Sequence, residues 1–151
     1  MLLRGNNDTE FEMKVVGYQF PHLEHEHYDS DWLNIRIRVK LSQDSWTAVD
    51  PCLLTWELAS LTDWLESIAD GKPVDSEESF MEPNLRFELI ENEPKKLKIY
   101  FELESRPSWA PYDGAGMEDL WAEFEINKEE LREAAASLRE DLKQFPTRVG
   151  H

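Results

Sequence analysis

The chain is poor in the features that would staple it, anchor it or make it reactive. It has one cysteine, Cys52, in 151 residues, which excludes an internal disulfide framework and fits a reducing cytosol. No apolar run approaches the roughly 20 residues that span a bilayer, and the opening Met1-Leu2-Leu3-Arg4-Gly5-Asn6-Asn7 turns polar too early for a secretory signal. The expected location is therefore the cytoplasm. Nucleophile elbow, phosphate-binding glycine loop and zinc-protease helix are all missing. Asp113-Gly114-Ala115-Gly116 is glycine-rich but does not lead from a strand into a helix, so it reads as a turn. Bases are scarce as well: 16 Lys and Arg stand against 32 Asp and Glu, for a net charge of −16. A field of that sign repels nucleic acid and anionic membrane, and it attracts a basic protein.

What is present is a folding composition. Hydrophobic residues make up 40% and aromatic residues 11%, too much for a disordered acidic tail. The length suits one domain, 1–151, that buries about two thirds of its unfolded surface. The acid is unevenly placed. Residues 41–85 hold ten acids and one base, Lys72, and residues 99–127 hold seven acids and one base, Arg106. The rest of the chain is close to neutral.

Period-two patterns dominate the middle of the sequence. Leu33, Ile35, Ile37, Val39 and Leu41 alternate with polar residues, as do Leu97, Ile99, Phe101 and Leu103, and Leu120, Ala122, Phe124 and Ile126. Leu85, Phe87 and Leu89 form a weaker case. Between Phe11 and Phe20 the apolar face switches near Gly17, which predicts a bulge. A strand through Trp46 to Leu54 is confined to an edge or broken by Pro51. One helix is expected after Thr55 as N-cap, running to Ala69 or Asp70 on Leu58, Leu61, Leu65 and Ile68. A second follows Asn127, whose capping box would be completed by Glu130, and ends at Pro146. The order predicts an α+β two-layer domain: one antiparallel sheet of about six strands with two helices on its apolar face.

Two long connections, Pro21 to Asp31 and Ser105 to Asp119, are natural places for function. The first carries His22, His25 and His27, which could ligate zinc or nickel only if a rigid frame converged them; a solvated polar loop is the simpler reading. The second carries Trp109 and Tyr112 on a proline-stiffened segment, residue types common at interface centres. Both rings could instead fold back over a sheet edge. Asp113, Glu118 and Asp119 add charge beside them, and Glu123 and Glu125 line the polar face of the next strand. Paired with the strand that carries Glu102 and Glu104, that strand would put four carboxylates on one face. The alternative is cross-strand pairing with Arg36, Arg38, Lys40 or Lys98. A further cluster, Asp75, Glu77, Glu78 and Glu82, falls in what reads as an exposed connection after the first helix. Cys52 sits in an apolar run and reads as a structural thiol.

Val15-Val16-Gly17-Tyr18-Gln19-Phe20-Pro21, Asp31-Trp32-Leu33-Asn34-Ile35 and Cys52-Leu53-Leu54-Thr55-Trp56-Glu57-Leu58 resemble the WapI-type immunity proteins. So do Glu82-Pro83-Asn84-Leu85, Phe101-Glu102-Leu103-Glu104 and Trp109-Ala110-Pro111. The resemblance covers about residues 10 to 145 and carries no catalytic signature. It implies a cytoplasmic, non-enzymatic bacterial antidote, without cofactor, that binds the C-terminal domain of a wall-associated polymorphic toxin in contact-dependent competition; some such toxins cleave transfer RNA. The expected partner is a basic toxin domain. A regulatory domain for some other basic protein is the alternative, and a metal-dependent hydrolase using the His and carboxylate loops is the third.

Overall fold

The computed structural model describes residues 1–23, 28–42, 44–110 and 119–149. Eight strands form two four-stranded antiparallel sheets. The first sheet is ordered β1 (Leu2–Arg4), β2 (Glu10–Tyr18), β3 (Trp32–Leu41) and β4 (Asp44–Leu54). The second is β5 (Glu77–Glu78), β6 (Leu85–Ile90), β7 (Lys96–Phe101) and β8 (Leu120–Glu125). Helix α1 (Thr55–Ala69) links the sheets, and α2 (Lys128–Gln144) follows β8. The class is α+β, but the single six-stranded sheet is corrected to two sheets. The six longer strands were all legible in the sequence, most of them from period two; what pattern could not show is that they divide after β4, where α1 carries the chain away from the first sheet.

Each sheet turns one apolar face inward, and these faces meet. Phe11 of β2 lies edge-on to Phe87 of β6 with ring centroids 6.1 Å apart, and 6.0 Å from Phe101 of β7. Trp46 of β4 meets Phe101 at 5.3 Å. The sheets thus face each other, which corrects the expectation of a single sheet covered by helices. The two helices contact one another: Arg139 of α2 donates to both carboxylate oxygens of Glu66 at 2.7 and 2.8 Å and to Asp63 at 2.7 Å, both on α1. Leu58, Leu61, Trp64 and Leu65 of α1 and Leu131, Ala135 and Leu138 of α2 join the same apolar core as the strands.

Local chemistry explains the element ends. Leu54, not Thr55, is the N-cap of α1; Thr55 is its first residue and bonds Thr147 through the two hydroxyls at 2.8 Å. The Glu57 carboxylate accepts from the Leu54 amide instead, at 3.0 Å. The Asn127 side chain caps α2 by accepting from the Glu130 amide at 3.1 Å, as its position predicts. Glu130 turns away from the expected reciprocal bond and accepts from the Arg4 amide. The bulge at Gly17 is present between Val15 and Gly17, and β4 is indeed an edge strand, with a register break at Pro51 and Cys52. β1 and β5 lie outside the sequence expectation because three and two residues are too short for a period to show. β5 also means that Glu77 and Glu78 are paired onto β6 and do not lie in a free connection.

Candidate functional site

The carboxylates singled out in sequence separate into two places. In β7–β8 the register sets Glu123 opposite Lys98 and Glu125 opposite Lys96. Glu123 bonds the Lys96 ammonium at 2.8 Å, and that contact holds the Lys96 pKa above its usual value. Lys98 also lies over the Trp121 ring at 4.3 Å, and Arg86 over the Tyr100 ring at 3.7 Å. The outer face of the second sheet is therefore a lattice of compensated charges with Tyr100 and Trp121 woven through it. Glu102 and Glu104 lie past the far end of β7 and share no face with Glu123 and Glu125. The strands pair as required, but β7 stops at Phe101, and a one-turn 3-10 helix, Leu103–Ser105, carries the chain off the sheet.

That turn leads to a different constellation. Asn84, only 1% exposed, donates from its side-chain amide to Asp50 of β4 and to Glu104, each at 3.1 Å. The Asn84 carbonyl in turn accepts from the Ser105 hydroxyl, and the Ser105 carbonyl accepts from the Trp46 indole at 2.9 Å. One chain of hydrogen bonds thus ties β4, the entry to β6 and the turn after β7. Trp109 stands perpendicular to Trp46 with ring centroids 6.1 Å apart and stays 55% exposed, so its ring both packs on Trp46 and faces outward. Val49, beside Asp50, is 56% exposed.

Among the described residues this edge carries acids without bases beside them, Glu102 apart. Burial pushes the Asp50 carboxyl above its ordinary value, and the charges of Glu104 and Glu82 push it further, against the opposing bond from Asn84. Among the described residues no Lys or Arg pairs with Asp50, Glu82 or Glu104; Arg106 lies 3.7 Å from Glu102. Asp119 is exposed one residue before Leu120, which pairs with Phe101, so it stands at the Glu102 end of the second sheet. Next to Glu82, Met81 is 63% exposed; its amide donates to Glu57 at 2.8 Å and its sulfur accepts from the Tyr28 hydroxyl. Tyr28 packs edge-on against Trp56 at 5.1 Å, continuing the aromatic character.

Of the residues singled out in sequence, Glu104, Trp109 and Asp119 lie at this edge, and Glu82 joins them from the cluster read as an exposed connection; Asp50, Asn84 and Trp46 had no signal beyond the acid excess of residues 41–85. The contacts that bring them together span 20 to 59 positions of sequence. Tyr112, Asp113 and Glu118, and His25 and His27 of the proposed metal loop, lie outside the described residues. His22 is exposed in a turn. Among the described residues no cluster of three or more His, Cys, Asp or Glu is arranged to hold a metal. Burial raises the Cys52 thiol far above its usual value, so it is no thiolate nucleophile. No helix among the described residues is long and apolar enough to cross a membrane.

No curated protein and no solved structure matches the chain. The family described as "Immunity protein WapI-like family" matches residues 1–146, nearly the full length and across every element that frames the acidic edge. The chain belongs to the WapI-like immunity protein family.

Proposed function

We propose that this protein neutralises a cognate toxin domain, the C-terminal part of a contact-dependent polymorphic toxin, by binding it in the cytoplasm without catalysis or cofactor. The contact surface is the edge formed by Asp50, Glu82, Glu104 and Trp109, bounded by Glu102 and Asp119. The observation that carries this reading is that, among the described residues, Asp50, Glu82 and Glu104 have no base beside them. Asp50 is held half-buried against two further carboxylates, at a cost to its own ionisation, while elsewhere Glu123 and Glu77 have bases beside them. Clustered charge that destabilises a fold and is fixed by a buried amide is characteristic of function, not of scaffold. Its complement is a basic surface. A toxin that handles RNA carries such a surface for phosphates, and acids preset by hydrogen bonds to a buried asparagine, as Asp50 and Glu104 are, cover it quickly and at little ordering cost. The negative field disfavours nucleic acid and anionic membrane as partners of this chain itself.

Co-expression with the toxin domain encoded beside the gene tests the reading. Wild-type protein restores growth; the combination Asp50→Asn, Glu82→Gln, Glu104→Gln and Trp109→Ala abolishes rescue with circular dichroism unchanged. Glu123→Gln with Glu125→Gln retains rescue. Survival of rescue in the quadruple variant would refute the surface, and absence of rescue by wild type would refute the function.

A further inference from the structure

β-sheet hydrogen bonding alternates along a strand, so a few bonds fix which amides of β4 are free. The Met13 amide donates to Met1 and the Val15 amide to Asp141 of α2, so odd-numbered residues of β2 point away from β3. Even-numbered residues of β2 therefore bond β3 at Lys40, Arg38 and Arg36. Val39, Ile37 and Ile35 are left to bond β4 at Trp46, Ala48 and Asp50. Ser45, Thr47 and Val49 then direct their amides and carbonyls to the other side of β4, where no strand pairs among the described residues.

The remaining sheet edges are short or covered. β1 has three residues and β5 two. The β2 edge beyond β1 is capped by the Asp141 carboxylate. Gly5 lies against the backbone of β8, so closely that a side-chain carbon there would meet the Glu123 carbonyl at 3.0 Å. β4 is different. From Asp44 to Asp50 it carries no Lys, Arg or Pro, the residues that ordinarily blunt an edge, and its register breaks only at Pro51 and Cys52.

We propose that the Ser45–Val49 edge of β4 takes an extended segment of the toxin as a fifth strand of the first sheet. This deepens the proposed function and rests on it. Main-chain bonds to Ser45, Thr47 and Val49 supply the pairing. Cross-strand neighbours share a face, so alternate side chains of the added strand fall beside Trp46, Ala48 and Asp50. The segment therefore carries Lys or Arg at the position facing Asp50 and Glu104, and an apolar residue near Trp46 and Trp109. Its other side chains lie with the exposed Thr47 and Val49.

Amide exchange by NMR, with the inactivated toxin domain as probe, tests the pairing. In the complex the Ser45, Thr47 and Val49 amides slow by about tenfold or more. Thr47→Pro, which removes one outward donor and no bond to β3, weakens binding at least about tenfold, whereas Thr47→Ser stays within about threefold. Binding with these three amides still exchanging at the free-protein rate overturns the added strand and leaves the proposed function standing. No binding by wild-type protein overturns both. Protection that rises with protein concentration in the absence of toxin identifies a second copy as the occupant and also overturns the proposal.

Discussion

Asp50 and Asp141 are both removed from water, with opposite consequences. Asp50 has a raised pKa, so the folded state binds its proton more tightly than the unfolded chain does. The stability linked to it is present below the ordinary carboxylate range and is lost as pH rises through the elevated folded value. At neutral pH the full penalty applies. Asp50→Asn keeps an acceptor for Asn84 and removes the charge, so thermal unfolding at pH 7 occurs no lower than in wild type and up to about 2 °C higher. Calorimetry on both proteins checks this, and the toxin affinity of the variant, measured by titration, falls at least about tenfold. Asp141 is 6% exposed and accepts from the Val15 amide at 3.2 Å, closing a strand edge. Asp141→Ala leaves that buried donor unmet and costs about 1–3 kcal/mol in urea unfolding. Neither role could be read from residue type, because 32 acids offer no way to tell a paired carboxylate from an orphaned one.

Among the elements, the two helices are joined by the Arg139 fork to Glu66 and Asp63. The bond from Arg139 holds the Glu66 carboxyl below its usual value. Its stabilisation is therefore present above the ordinary carboxylate range and fades as pH falls through the depressed folded value. Arg139→Met is expected to lose about 0.5–1 kcal/mol at pH 7, since the groups are partly solvated, and to approach wild-type stability at an acid pH below the depressed folded value of Glu66. Urea titrations at the two pH values check it. A second device clasps the loop before β3: the Arg148 and Val149 amides donate to the fully buried Asp31, at 2.6 and 3.2 Å, and the Arg148 guanidinium reaches the Phe20 and Ser30 carbonyls. That strap fixes the segment from which Tyr28 reaches Met81 and Trp56. Helices and long strands were legible because their periods repeat, as with Leu58, Leu61 and Leu65 or Ile35, Ile37 and Val39. The strap and the fork join residues 73 to 128 positions apart and leave no periodic trace.

At the scale of the whole molecule, charge is sorted by face. Arg36 and Arg38 share Glu12 at 3.5 and 3.9 Å on the outer side of the first sheet, and the second sheet neutralises itself through Lys96, Lys98, Glu123 and Arg86. The uncompensated acid is left at the edge where β4 meets the turn after β7. A net charge of −16 with such an edge steers a basic partner. Association with the toxin domain is expected to slow about tenfold or more between 50 mM and 500 mM salt, roughly, with dissociation much less affected. Stopped-flow fluorescence checks this, and a salt-independent on-rate would remove electrostatic steering from the account.

The sequence alone determined the class of fold, the identity of eight of its ten main elements, the excess of acid and the family likeness. These depend on local periodicity, composition and contiguous words. Only the tertiary structure decided that the strands form two facing sheets, that Glu123 pairs with Lys96 and that Glu125 stands opposite the same lysine. It alone brought Asp50, Glu82 and Glu104 together around one buried asparagine. The physical reason is that strand partnership sets which charges meet, and partnership between distant strands is fixed by packing of the whole core. The period of any one strand does not contain it.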